Sequence, residues 1–272
     1  MAAGRFHLYV AWACPWAHRT LITRSLRGLT DAVSVTVVGS LMGDDGWPFR
    51  TEDPDPILGA QHLRDVYLRA NPKYTGRVTV PVLWDRETAT IVNNESREVM
   101  RILDVKLAPL AKNPYVDTLA PPALLGEIDR VLDDIYHPIN NGVYRAGFAT
   151  SQAAYSAAVS DVFAALARWD AILGTQPFTC GDVMTEADVA LFTTLLRFDL
   201  VYYAHFKCNL KRLRDHANLW RFTRQMYQHP GIRPTCQLDE IKAHYYWSQT
   251  AINPTRVIPI GPPLEAELLA PL

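Results

Sequence analysis

Arg5-Phe6-His7-Leu8-Tyr9-Val10-Ala11, followed by Trp12-Ala13-Cys14-Pro15-Trp16-Ala17-His18-Arg19-Thr20, is the stretch on which the fold turns. Its first half holds alternating and β-branched residues, which reads as a strand. From Ala17 to Leu29 the apolar positions recur at helical spacing, and Gly28 marks the stop. Pro15 suits the first turn of that helix, where no intrahelical N–H bond is needed. Cys14 therefore stands where a strand hands over to a helix. Unpaired backbone N–H groups and the positive end of the helix dipole favour thiolate there, and a thiolate is the nucleophile of thiol–disulfide exchange. His18 and Arg19, one turn on, either add positive potential or serve as solvated or structural side chains. The Cys14 thiol is expected to alkylate at a pH well below the value of about 8.5 for a free cysteine.

Working outward, Val33-Ser34-Val35-Thr36-Val37-Val38 is a second, mostly β-branched strand, which completes a βαβ unit. The segment from Met42 to Ile57 is rich in Gly, Asp and Pro and reads as loop. A helix is expected around Gln61–Ala70. Two strands, Thr79–Trp84 and Thr90–Val92, then flank Asp85–Ala89 at hairpin spacing. A helix starts at Ser96, its expected N-cap, and should bury Val99, Met100, Ile102 and Leu103. This order is that of a thioredoxin-like α/β domain over residues 1–107. Residues 108–122 carry prolines and few periodic apolar positions, as a linker does. Beyond them helical periodicity dominates, in Leu125–Tyr136, Gln152–Leu173, Thr185–Val201 and Leu219–Tyr227, giving an all-α domain over 123–252. Thr185-Glu186-Ala187-Asp188 looks like a capping box with Asp in place of Glu or Gln. The proline-bearing tail, 253–272, is expected to be an extended arm.

The 272 residues are 49% hydrophobic and 20% charged, enough for two packed cores. Lys plus Arg (27) nearly balance Asp plus Glu (28), so nothing points to nucleic acid or an anionic membrane. No apolar run reaches the length of about 18 residues that a membrane span needs. The opening residues, Met1-Ala2-Ala3-Gly4-Arg5, lack the apolar stretch of a secretory signal. Cys14, Cys180, Cys208 and Cys236 are scattered, with no spacing suited to a disulfide framework or a zinc site. A reducing, cytoplasmic setting and no metal are expected.

Ala17 occupies the place where a dithiol enzyme carries its resolving cysteine. A mixed disulfide at Cys14 must then be released by an external thiol, and in a reducing cytosol the abundant one is glutathione. Val80-Pro81 stands where thioredoxin-like folds keep a cis-proline, and the Val80 backbone suits antiparallel pairing with a peptide. Glu95-Ser96 before a helix offers a helix N-terminus for a γ-glutamyl carboxylate and a side chain for the ammonium group.

With these in place the chain resembles the glutathionyl-hydroquinone reductases, the Xi-class glutathione transferases. Besides the opening stretch, the resemblance rests on Gly46-Trp47-Pro48-Phe49, Gly76-Arg77-Val78-Thr79-Val80-Pro81-Val82-Leu83-Trp84-Asp85 and Asn94-Glu95-Ser96. In the helical half it rests on Asn140-Asn141-Gly142-Val143-Tyr144, His205-Phe206-Lys207-Cys208-Asn209, His244-Tyr245-Tyr246 and Ile252-Asn253-Pro254. It implies the glutathione transferase fold and reductive removal of glutathione from S-glutathionyl hydroquinones, through a Cys14–glutathione disulfide resolved by a second glutathione. It further implies that Trp47, Arg77, Val80, Glu95 and Ser96 hold glutathione, and that Tyr144, Tyr202 and Tyr245 line the quinol pocket as hydroxyl donors. A homodimer formed through the helical domain is also implied. Family members carry a longer segment before the first strand than the few residues found here. The competing readings are a general thioltransferase or dehydroascorbate reductase and, from another class, a non-catalytic glutathione-transferase-like interaction module.

Overall fold

β1 (Phe6–Val10) is buried along its whole length, which places it inside a sheet rather than at an edge. In a computed structural model describing residues 2–271, it is flanked by parallel β2 (Val33–Val37) and antiparallel β3 (Val82–Asp85). β4 (Thr90–Asn93) pairs antiparallel with β3, so the sheet order is β2-β1-β3-β4. The helices of this half are α1 (Pro15–Leu26), α2 (Leu63–Ala70) and α3 (Ser96–Arg101), and α1 packs against α3. Gly28 ends α1 in the left-handed region (φ +64), and a Cβ there would lie 2.6 Å from Pro114.

The other half is helical: α4 (Leu125–Ile135), α5 (Gly142–Gly147), α6 (Gln152–Leu173), α7 (Glu186–Leu195), α8 (Ala217–Gln228), α9 (Leu238–Ser248) and α10 (Leu264–Leu268). Every residue of α7 is buried, so it is the axis of this half. Its start is the expected capping box: Asp188 accepts the Thr185 N–H at 2.8 Å and the Thr179 N–H at 2.7 Å. α1 also packs on α7, and Ile22, Leu26 and Met100 belong to the helical core while Leu21 belongs to the sheet core. The helix that opens at Cys14 is thus the joint between the halves. No helix among the described residues is long and apolar enough to cross a membrane.

Four expectations shift. The third strand begins at Val82 rather than Thr79, because Pro81 has no N–H for the ladder. Ser96 is the first helical residue and Glu95 the cap, since the Ser96 hydroxyl is engaged by Arg19 and Glu95 instead of its own helix. The 185–201 helix ends at Leu195, and a wider π-helical turn, Phe198–Tyr202, follows. Finally, the tail is not extended throughout: α10 turns Leu264 and Leu268, four residues apart on one face, into the helical core. The 108–122 segment is tied down by Asp104, which pairs with Arg27 at 2.8 Å and accepts the Leu119 and Ala120 N–H groups.

Candidate active site

Cys14 caps α1, with extended backbone (φ −75, ψ 120), and Pro15 is the first helical residue. Its half-buried thiol donates to the Val80 carbonyl at 3.6 Å, while the Val80 N–H makes no backbone hydrogen bond. The sulfur and the edge expected to hold a peptide are therefore adjacent. One effect opposes the low titration expected of Cys14. Burial pushes the thiol up, and the Ala17 N–H, the Arg197 guanidinium, the Trp16 N–H and Arg19 pull it down without cancelling that effect.

Of the two readings left open for His18 and Arg19, each residue takes a different one. His18 is fully buried, bonds Thr235 Oγ1 at 2.9 Å through Nε2, and accepts from Arg197 through Nδ1 at 3.3 Å. Burial, then the charge of Arg197, hold it well below the usual histidine range, so it is neutral. Arg19 is the true cation. Burial lowers it to about 10, against the opposing pull of Glu95 and Cys14. Its guanidinium lies 4.3 Å over the Trp16 ring and donates to Ser96 Oγ and the Ala190 carbonyl, both at 3.4 Å.

Beside this end of α3, Glu95 is exposed and lines a cavity of about 330 Å³ between the halves, with Arg19, Asp133, Tyr136 and Asn140. Arg77 is exposed on the segment leading to Val80, its carbonyl accepting from the Tyr74 hydroxyl at 2.7 Å. Trp47 is 8% exposed and stacks on His244 of α9, with ring centres 4.7 Å apart. His244 donates from Nδ1 to the Ser40 carbonyl at 2.8 Å, and Arg50 pairs with Glu240 at 2.8 Å. The loop carrying Trp47 is thereby docked on the helix that carries Tyr245. His244 itself is pushed down to about 4, chiefly by burial.

Tyr144, Tyr202 and Tyr245 converge from α5, the π-helical turn and α9. The Tyr245 hydroxyl lies 2.5 Å from that of Tyr144 and 3.1 Å from that of Tyr202. Burial raises all three, Tyr144 and Tyr245 well above the usual range, so the trio is protonated near neutral pH. A negative charge on Cys14 raises Tyr144 and Tyr202 further, which places the sulfur within electrostatic reach of both. Exposure separates them: Tyr202 is 0% and Tyr245 1% exposed, while Tyr144 keeps some open surface. Phe206 stacks on Tyr202 at 5.3 Å, and its ring presses on Gly147, where a Cβ would come within 2.3 Å. Among the described residues no group of three or more His, Cys, Asp or Glu could hold a metal.

Arg197 escaped the reading of the sequence. Fully buried, it donates to the carbonyls of Ala13 (2.8 Å), Trp12 (3.0 Å) and Thr193 (2.7 Å). The available signal was a single charge in the otherwise uncharged run Val189–Phe198.

The glutathione S-transferase N-terminal domain profile matches residues 13–106, and the C-terminal domain profile matches 152–225. The chain is 50% identical over 262 residues to the glutathionyl-hydroquinone reductase YqjG of Escherichia coli, covering 95% of this chain and 79% of that protein. The Xi-class glutathione transferase structure from Natrialba magadii superposes with a TM-score of 0.96 at 50% identity, over 99% of this chain and 82% of that one. The glutathione-bound structure of Escherichia coli YqjG superposes with a TM-score of 0.92 at 49% identity, over 96% and 85% of the two chains.

Proposed function

This chain belongs to the glutathione transferase family, in its Xi class, and from that premise we propose that it reduces S-glutathionyl hydroquinones to hydroquinones at the expense of glutathione. The observation that carries the reading is the single thiol of Cys14, beside the Val80 edge and within electrostatic reach of Tyr144 and Tyr202, two of three hydrogen-bonded phenols. In the first step the Cys14 thiolate attacks the glutathionyl sulfur of the substrate. A Cys14–glutathione disulfide forms, the aryl C–S bond breaks, and its electron pair stays with the ring. Tautomerisation towards a keto form puts a proton on the sulfur-bearing ring carbon, so the pair passes into the neighbouring carbonyl as an enolate, and that oxygen takes a proton as the ring becomes aromatic again. In the second step a glutathione thiolate attacks the disulfide, giving oxidised glutathione and free Cys14. Two glutathione sulfurs are oxidised for each ring reduced.

The reading gives each residue a role. Val80 supplies a peptide edge, Trp47 a wall, and Glu95 with Ser96 a polar end for the γ-glutamyl group, with Arg77 at the outer side. Tyr144 offers its hydroxyl to the ring oxygen because it alone of the trio has open surface. Tyr245 and Tyr202 stand behind it and keep its proton supplied. Cytoplasmic location and a homodimer through the helical half accompany this reading, and sedimentation tests the latter.

The test is to mix the protein with an S-glutathionyl hydroquinone and glutathione and follow hydroquinone release for wild type and Cys14→Ser. Release by wild type alone is expected. Equal turnover by Cys14→Ser would remove the thiol mechanism. Absent release, with a small glutathione mixed disulfide still reduced, would make the protein a general thioltransferase.

A further inference from the structure

Three arginines of this protein are buried almost completely, Arg19, Arg27 and Arg197, and the first lies beside Glu95. Arg27 is paired with the carboxylate of Asp104 at 2.8 Å. Arg197 is fully buried, and the acceptors of its hydrogen bonds are all uncharged: the carbonyls of Trp12, Ala13 and Thr193, and Nδ1 of His18. A buried cation without an anion is costly unless an anion forms beside it. Arg197 stands two residues past the end of α7, yet its fork closes on the two residues preceding Cys14, 184 and 185 positions away in sequence. A planar guanidinium can hold both carbonyls at once, where an ammonium on a flexible stem cannot.

We propose that Arg197 is a positioning residue for the reaction at Cys14: its fork fixes the Trp12–Ala13 turn from across the domain joint, and its charge is the buried counter-ion of the Cys14 thiolate. The charged half of this proposal rests on Cys14 being the reacting thiol, as argued above. The groups facing the pair are few. On α1, His18 is neutral and Arg19 is a cation already drawn to Glu95. From the helical half come Tyr144, Tyr202, Tyr245, Cys236 and His244, none of which is charged near neutral pH, because burial raises the four acids and lowers the histidine. Arg197 lowers Cys14, Tyr202, Tyr245 and Cys236 alike, and a thiol ordinarily ionises before a phenol. Cys14 caps the helix and Cys236 does not, so the thiolate forms at Cys14.

The experiment uses the full chain, wild type, Arg197→Gln and Arg197→Lys. The pH profile of iodoacetamide labelling is read by mass on the Cys14 peptide, beside kcat and KM for glutathione. Arg197→Gln should move the labelling midpoint up by about one pH unit, roughly a tenfold slower reaction at pH 7. Arg197→Lys should keep the midpoint near wild type yet lower kcat several-fold with KM for glutathione unchanged, because charge survives and the fork does not. A folded Arg197→Gln protein with the wild-type midpoint overturns the proposal. If that variant fails to fold, Arg197→Lys decides, and a wild-type kcat overturns the fork's role. Labelling involves no hydroquinone, so a shifted midpoint in a protein inactive on hydroquinones would sink the substrate reading and leave this one standing.

Discussion

At Cys14 two opposed effects meet, and only one is written in the local sequence. The helix N-terminus and neighbouring guanidinium groups favour the thiolate, while burial favours the thiol, and burial is the larger. The same contest settles the residues around it: His18, read as a possible cation, is neutral because it is buried against Arg197, whereas Arg19 keeps its charge beside Glu95. Among the tyrosines, the Tyr245 hydroxyl is the one bonded to both of the others. Tyr245→Phe should therefore interrupt proton supply to the ring and slow hydroquinone release about 100-fold, within the usual range for a lost general acid. Reduction of a small glutathione mixed disulfide, which protonates no ring carbon, should fall only a few-fold. Initial rates on the two substrates check this, and equal losses would show that the phenols shape the pocket without serving the proton.

The elements were largely readable where period and punctuation agree. Pro15 and Gly28 bracket α1, the β-branched run makes β2, and Thr185 with Asp188 opens α7. Reading went astray where a side chain bonds outside its own element. Ser96 looks like a cap but its hydroxyl oxygen accepts from distant Arg19, and Leu264 with Leu268 turn a proline-flanked tail into a docked helix. The capping box supports a measurable prediction. Asp188→Ala leaves the buried N–H groups of Thr179 and Thr185 without their acceptor and removes a helix cap. A loss of about 2–4 kcal/mol is expected from those two effects together. Urea unfolding should show it as a lower midpoint with unchanged slope, and a midpoint within error of wild type would mean that the surrounding helices hold α7 unaided.

For the whole molecule, burial of histidines makes stability depend on pH. His7 and His244 are lowered to about 4, His18 well below the usual range, and His205 is lowered as well. Each takes up a proton in the unfolded chain near its ordinary value of about 6.5, while the folded chain refuses it. More protons are then bound unfolded than folded, so stability rises with pH in this window and is lost as pH falls from about 6.5 towards about 4. His7 and His244 contribute at most about 3 kcal/mol each by the acid end of it. Thermal unfolding between pH 7.5 and 4.5 checks the sign, since a melting temperature flat across that range would contradict it. The sequence by itself determined the thioredoxin-like order of strands and helices, the helical second half and the place of Cys14 at the start of a helix, because periodicity, caps and motifs are local. Only the tertiary structure decided which of these groups is charged, which tyrosine has open surface, and that Arg197 closes on the turn before Cys14. Ionisation follows burial and long-range neighbours, and those exist only once α7 and α9 have packed against the end of α1 and the loop around Trp47.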